Sequence, residues 1–251
     1  MCNFYGVTMP NKKTVEVKKK EIDVTNHISL LKPVINGFEY GNALILLEDD
    51  NNDIKAVEAH WEFIPNWMNS LKQVVEARKQ GIPWLNATSE KLLDSKMFSE
   101  AALHRRCIVL ATHFYEWREA KIPGSHKKVK IPYAIKLVKQ DYFFMAGIYN
   151  HFKDVHTGES FLSFAIVTTK ANELMQQIHN LKHRMPTLLT PVLAGQWIQR
   201  NLKENYIDAI AKYSLPSENM EAFTIANNFK VADDPLAKVD YNNILQPNTL
   251  F

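Results

Sequence analysis

RRCIVLATHFYEWRE, residues 105–119, is the most informative stretch of this chain. It is rich in β-branched and aromatic residues and reads as strand, turn, strand. PYAIKLV, DYFFMAGIYN and SFLSFAIVTTK, spread over residues 132–170, predict three further strands with turn signals between them. Upstream, ALILLE (43–48) and IKAVEAHW (54–61) predict two strands on either side of the polar turn DDNND. WMNSLKQVVEARKQG (67–81) has apolar residues at 67, 68, 71, 74 and 75 and then Gly81, which is helical spacing with a C-terminal stop. KANELMQQI, PVLAGQWIQR and ENYIDAIAKY read as helices, and HNLKHRMP as a basic loop ended by Pro186.

These elements do not alternate as βαβ units. The expectation is an α+β fold, a single domain over residues 1–251 around a curved mixed or antiparallel sheet or barrel-like core with flanking helices. The lysine-rich stretch within 8–36 reads as a solvated arm or helix face, and about 226–251 as an irregular C-terminal wrap.

The 251 residues are 46% hydrophobic and 23% charged, an ordinary globular balance with enough apolar material for a core. The net charge of +3 is too small to argue for nucleic acid by itself. Two cysteines, Cys2 and Cys107, exclude a disulfide scaffold and give no clustered zinc ligands. The N-terminus lacks an apolar signal core, and no run approaches the roughly 20 apolar residues that span a bilayer. The expectation is a cytoplasmic monomer, nucleoid-associated in a bacterium or nuclear in a eukaryote, with no membrane partner, metal or cofactor.

Glu116 is a lone carboxylate inside an aromatic strand. If buried, its pKa rises toward a value useful for proton transfer; if it faces outward, it pairs with a lysine. His179, Lys182, His183 and Arg184 crowd one loop that can cradle a phosphate, move a proton or simply be solvated. Asn86 stands just before an expected helix start, a capping position. Trp61 and Trp67 flank a proline and can stack on bases or pack the core. Cys107, within CIVL, reads as an inert core thiol. Cys2 is different, because loss of Met1 would expose an α-amine and a thiol on adjacent carbons.

Together these stretches resemble the SOS response-associated peptidase family of abasic-site-shielding proteins, over roughly residues 1–190. The resemblance rests on Met-Cys at the start and on Trp61, Ile64, Pro65 and Trp67. It continues with Asn86, Ala87 and Glu90; with Arg106, Cys107, Phe114, Tyr115, Glu116 and Trp117; and with Thr168, Thr169, Ala171, Asn172, Ile178, His179, Arg184, Met185 and Pro186. It implies that Met1 is lost by the protein's own catalysis. The Cys2 amine then forms a Schiff base with the ring-opened sugar of an abasic site in single-stranded DNA, and the thiol closes a thiazolidine. The implied catalytic residues are Cys2, Asn86, Glu116 and His179. The implied DNA contacts are Arg184, Trp61, Trp67, Thr88, Arg106, Lys182 and His183.

Four departures from the family pattern stand out. Asn3 and Phe4 replace a Gly-Arg pair, Thr88 replaces a basic residue, and His113 replaces a glycine. The segment between Ile178-His179 and Arg184 is longer than in many members, so His183 rivals His179. Two other readings use the same residues: an N-terminal-nucleophile or cysteine peptidase, and a DNA-binding member without chemistry.

Overall fold

The computed structural model describes residues 2–9, 12–81 and 83–244. In chain order the elements are β1 (Phe4–Gly6), β2 (Thr14–Val17), β3 (Lys20–Asp23), β4 (Ile35–Asn36), β5 (Asn42–Glu48), β6 (Ile54–Trp61) and α1 (Leu71–Lys79). There follow β7 (Asn86–Thr88), α2 (Ser99–His104), β8 (Arg106–Ala111), β9 (His113–Lys121), β10 (Lys128–Leu137), β11 (Phe143–Lys153) and β12 (Ser160–Lys170). The chain continues with α3 (Glu173–Ile178), β13 (Arg184–Pro186), β14 (Leu188–Leu189), α4 (Pro191–Trp197), α5 (Glu204–Ala211) and β15 (Met220–Thr224).

Strands β6, β5, β8, β11 and β12 close on themselves as a barrel. Four of the pairings are antiparallel and β12–β6 is parallel. That parallel pair is a consequence of the odd number. When five strands alternate in direction, the first and last point the same way. A second, antiparallel sheet runs β15-β10-β9-β1-β4.

Residues 105–119 join the two sheets. The strands expected there are present, but they do not pair as a hairpin. β8 is a fully buried barrel strand, Thr112 turns the chain, and β9 enters the second sheet. The Thr112 amide donates to Gly6 O at 2.9 Å, which ties the turn to β1. β9 therefore carries Glu116 out of the barrel wall and lays it beside the N-terminal strand.

The α+β expectation, the strands at 43–48 and 54–61, and the four helices hold. α1 begins later than its pattern, at Leu71, because the Ser70 hydroxyl accepts from the Gln73 amide and fixes the N-terminus there. The lysine-rich arm is a correction. It is a hairpin, β2–β3, whose turn residues Lys18 and Lys19 have φ of 53° and 62°. Val15, Val17 and Ile22 face the core, and Lys18 pairs with Glu48. RMP at 184–186 is also a correction: it pairs with β12 as a strand instead of ending a loop. Asn86 caps no helix, since β7 pairs in parallel with β12. Of the expected C-terminal wrap, residues 226–244 are irregular apart from a turn at Phe229–Val231 and a bridge between Ile225 and Lys238. Residues 245–251 lie outside the described residues. No helix among the described residues is long and apolar enough to cross a membrane.

Candidate active site

Sheet register builds the site. Tyr5 pairs with Phe114 and Gly6 with His113, so continuing the antiparallel ladder sets Asn3 level with Glu116. Asn3 and Glu116 line one cavity of about 270 Å³, together with Trp117, His179 and Lys182. Cys2, next to Asn3, is fully buried, and its thiol donates weakly to Phe4 O at 3.8 Å.

Glu116 is 4% exposed, so the outward-facing reading of this residue does not hold. Burial lifts its pKa to about 7. His179 ends α3, where helical geometry breaks, and its Nε2 lies 3.9 Å from Glu116 Oε2. Its Nδ1 lies 2.8 Å from Arg184 O, a contact that fixes the ring and favours a proton on Nδ1 and a lone pair on Nε2. Burial lowers its pKa to about 4. The pair is thus a half-protonated carboxyl facing a neutral imidazole at neutral pH, suited to passing a proton in either direction. His183 is exposed on the loop with φ of 49°, so the structure brings His179 and not His183 to Glu116.

Asn86 reaches the site from β7. Its Nδ2 donates to Asn3 Oδ1 at 3.1 Å, while its own Oδ1 is buried without a hydrogen-bond partner among the described residues. A buried acceptor left unmatched costs about 1–3 kcal/mol until a donor meets it.

The expected DNA contacts divide. Trp67 is 55% exposed and Lys182 lies on the cavity rim. Two others are corrected. Trp61 is 1% exposed, with its indole N–H donated to Leu85 O and its ring between Tyr5 and Phe164. Arg106 is 4% exposed, and its guanidinium donates to the carbonyls of Trp197, Ala102, Leu103, Gln199 and Arg200. Neither offers a surface to nucleic acid; one packs the core and the other ties α2 to the end of α4. Arg184 pairs with Glu90 at 2.6 Å and donates to Thr168 O, so much of its charge is already matched within the protein. Thr88, half-buried at the end of β7, opposes Thr168. Cys107 is the inert thiol expected, fully buried with a raised pKa.

Several contributors escaped sequence reasoning. Lys130 lines the cavity without belonging to a recognisable pattern, and Asn3 and Trp117, noted in the sequence without a site role, line it as well. Asn180 clamps the loop to β9 with its side chain. Its Oδ1 accepts from Glu119 N at 3.0 Å and its Nδ2 donates to Glu119 O at 2.9 Å. His113 fills the space over Gly6. Its Nδ1 lies 2.9 Å from Thr112 Oγ1, and its Nε2 lies 2.8 Å from Pro33 O and 2.9 Å from Tyr115 Oη. Sequence offered one signal for that network, His113 standing where the resembling family has a glycine.

Comparison with known proteins matches residues 1–231 to the family model described as SOS response associated peptidase. The abasic site processing protein YoqW of Bacillus subtilis is 30% identical over 187 residues, 74% of this chain and 75% of that one. The abasic site processing protein HMCES of Xenopus tropicalis is 24% identical over 63% of this chain and 51% of its own length. The crystal structure of a protein from Bacteroides thetaiotaomicron is similar with a TM-score of 0.77 and 29% identity, covering 94% of this chain and 97% of that one. A phage-related protein of Bordetella bronchiseptica shares the fold at a TM-score of 0.62 and 17% identity, covering 95% of this chain and 100% of its own.

Proposed function

The chain belongs to the SOS response-associated peptidase family, and from that premise we propose that it senses abasic sites in single-stranded DNA and crosslinks to them through Cys2. Met1 lies outside the described residues; its removal, by the protein's own chemistry, is the first step of the proposal. The freed α-amine has a pKa near 8, well below that of lysine, so more of it is unprotonated at neutral pH. It attacks the C1′ aldehyde of the ring-opened deoxyribose, and the carbinolamine loses water to give an imine. The Cys2 thiol then adds to the imine carbon while its proton passes to the imine nitrogen, closing a five-membered thiazolidine. Because both nucleophiles sit on one residue, the second step is intramolecular and is worth several kcal/mol over a bimolecular one.

The observation that carries this reading is the Glu116–His179 pair, 3.9 Å apart in the cavity beside Cys2. Glu116, with its pKa near 7, supplies the proton that the carbinolamine hydroxyl needs to leave, recovers it from the nitrogen as the neutral imine forms, and then relays the thiol proton to the imine nitrogen as the ring closes. Neutral His179 assists sugar ring opening, and Asn86 orients the Cys2 segment through Asn3. Trp67, Thr88, Lys182, His183 and the outer edge of Arg184 are proposed to meet the strand.

The test is incubation with an abasic single-stranded oligonucleotide followed by a denaturing gel. A heat-stable adduct that disappears in Cys2→Ala is the expected result. No adduct, or one that survives Cys2→Ala, overturns the proposal. Turnover of peptides in trans would assign the same residues to a peptidase, and salt-dependent binding without an adduct to a DNA-binding protein.

A further inference from the structure

Glu116 and His179 are held by different sheets. Glu116 lies on β9, in the second sheet. His179 is held from the barrel side. Its backbone N–H donates to Met175 O of α3 at 2.8 Å, and its ring is tied to Arg184, the first residue of β13, which pairs with barrel strand β12. The loop that follows closes on the same residue, with His183 N donating to His179 O at 2.9 Å. These bonds fix the imidazole relative to α3 and β13. None of them reaches β9, so the 3.9 Å separation of the pair depends on what joins the loop to that strand.

Asn180 makes that join. Its Oδ1 accepts from Glu119 N at 3.0 Å and its Nδ2 donates to Glu119 O at 2.9 Å. A carboxamide offers an acceptor and a donor side by side, so it meets one strand residue as a neighbouring strand would. The contact lies past the residues of β9 that pair with β1, three positions on from Glu116. Asn180 directly follows His179. A closed ring results, running from Glu116 along extended backbone to Glu119, across the two hydrogen bonds to Asn180, and back through His179. α3 also packs against β9. Apolar packing is non-directional and sets approach, whereas a pair of hydrogen bonds sets alignment as well.

We propose that Asn180 is a positioning residue for proton transfer, its carboxamide holding the His179 imidazole at working distance from Glu116. The proposal rests on the reading of this pair as the proton-transfer centre of crosslinking. Asn180 acts through His179, and its loss lets the loop lift from β9 and water reach the ring. The charged groups that face the ring are Glu116 from β9 and Lys182 and His183 from its own loop.

Two variants test it. Asn180→Leu keeps the bulk and removes both hydrogen bonds; Asn180→Asp keeps the acceptor for Glu119 N and loses the donor to Glu119 O. In single-turnover adduct formation on an abasic single-stranded oligonucleotide, Asn180→Leu lowers the limiting rate constant about 10-fold and leaves the half-saturating oligonucleotide concentration within about twofold. Asn180→Asp loses about threefold, and it carries every measurement if a thermal melt shows Asn180→Leu unfolded. In a His179→Ala background the second substitution costs nothing more, because the group being positioned is gone. A limiting rate equal to wild type, or a full further loss in the His179→Ala background, overturns the proposal. Nitrogen-15 NMR of the His179 ring in the unreacted protein gives a readout that needs no adduct. The ring titrates at about 4 in wild type and moves toward the ordinary value of about 6.5 when the clamp is removed. An unchanged titration overturns the positioning role even where adducts form normally. A raised one upholds it even if the wild-type protein forms no adduct, in which case the crosslinking chemistry alone has failed.

Discussion

His179 Nε2 stands 3.9 Å from Glu116 Oε2, and burial moves the two groups in opposite directions, the carboxyl to about 7 and the imidazole to about 4. Between those values Glu116 holds its proton and His179 is neutral. The α-amine of Cys2 becomes more nucleophilic up to about pH 8, its ordinary pKa. The rate of adduct formation on abasic oligonucleotide is therefore expected to peak near pH 7–8. In Glu116→Gln the rate falls about 10²-fold or more, the usual worth of a positioned acid–base group, and the falling limb at high pH disappears. A variant profile that keeps the wild-type falling limb would remove Glu116 from that step.

Burial of the same two groups makes stability depend on pH. The folded pKa of Glu116 lies above its unfolded value, so its contribution is complete below about pH 4.3 and is lost as pH rises through 7. Glutamine cannot ionise and avoids that loss. Glu116→Gln should gain about 2–3 kcal/mol over wild type at pH 8 and nothing at pH 4, because each tenfold change in proton affinity between the folded and unfolded chains is worth ~1.4 kcal/mol. His113 and His179 run the other way: their pKa values are lowered to about 4, so their contribution is present above about pH 6.5 and lost as pH falls through 4. Urea melts at pH 4, 6 and 8 check both signs.

Only one histidine of the basic loop touches Glu116, so the two should separate in kinetics. His183→Ala is expected to leave the rate of adduct formation within about threefold of wild type. His179→Ala should lower it by about 10²-fold, the cost of removing an aligned proton-transfer group. Single-turnover gels on one abasic oligonucleotide measure both.

A Cβ on Gly6 would lie 2.1 Å from Pro33 O and 2.2 Å from His113 Nε2. Gly6→Ala is therefore expected to destabilise the protein by more than about 3 kcal/mol, since the β1 backbone must move to make room. Removing the imidazole relieves only one of the two clashes, because the Pro33 carbonyl is backbone. The double variant Gly6→Ala, His113→Ala should thus remain well below His113→Ala alone in a thermal melt. Recovery to that level would locate the obstruction in His113.

The barrel is legible in the sequence because its strands advertise themselves. CIVL, ALILLE and SFAIVTT are apolar runs that only burial explains. The hairpin at Thr14–Asp23 is hidden by its turn, where two lysines take the left-handed conformation usually signalled by Asn-Gly. β15 escapes notice for a related reason. MEAFT is short, and only Met220 and Ala222 alternate inward. At the site, residue identities are readable and their exposure is not. Arg106 resembles a phosphate contact because a basic residue beside an apolar strand carries no mark of whether it faces solvent or backbone carbonyls. Asn180 and Lys130 give no signal at all, because their places depend on the loop docking against β9 and on the register of β10.

That difference in exposure separates the aromatic and basic residues that the sequence alone groups as DNA contacts. Trp61 and Arg106 are buried, so their loss should appear as instability. Trp61→Ala is expected to cost about 3–5 kcal/mol for a fully enclosed aromatic side chain. Arg106→Met should cost about 3 kcal/mol or more, because it leaves the carbonyls of Ala102, Leu103, Trp197 and Gln199 without their donor. Trp67, exposed beyond the proline, should behave in the opposite way. Trp67→Ala leaves the melting temperature nearly unchanged and weakens single-stranded DNA binding by about 1–3 kcal/mol, the worth of one base stacked on an aromatic ring. Thermal melts and anisotropy on the three variants separate the effects. A stable Arg106→Met protein that has lost DNA affinity would return Arg106 to the binding surface.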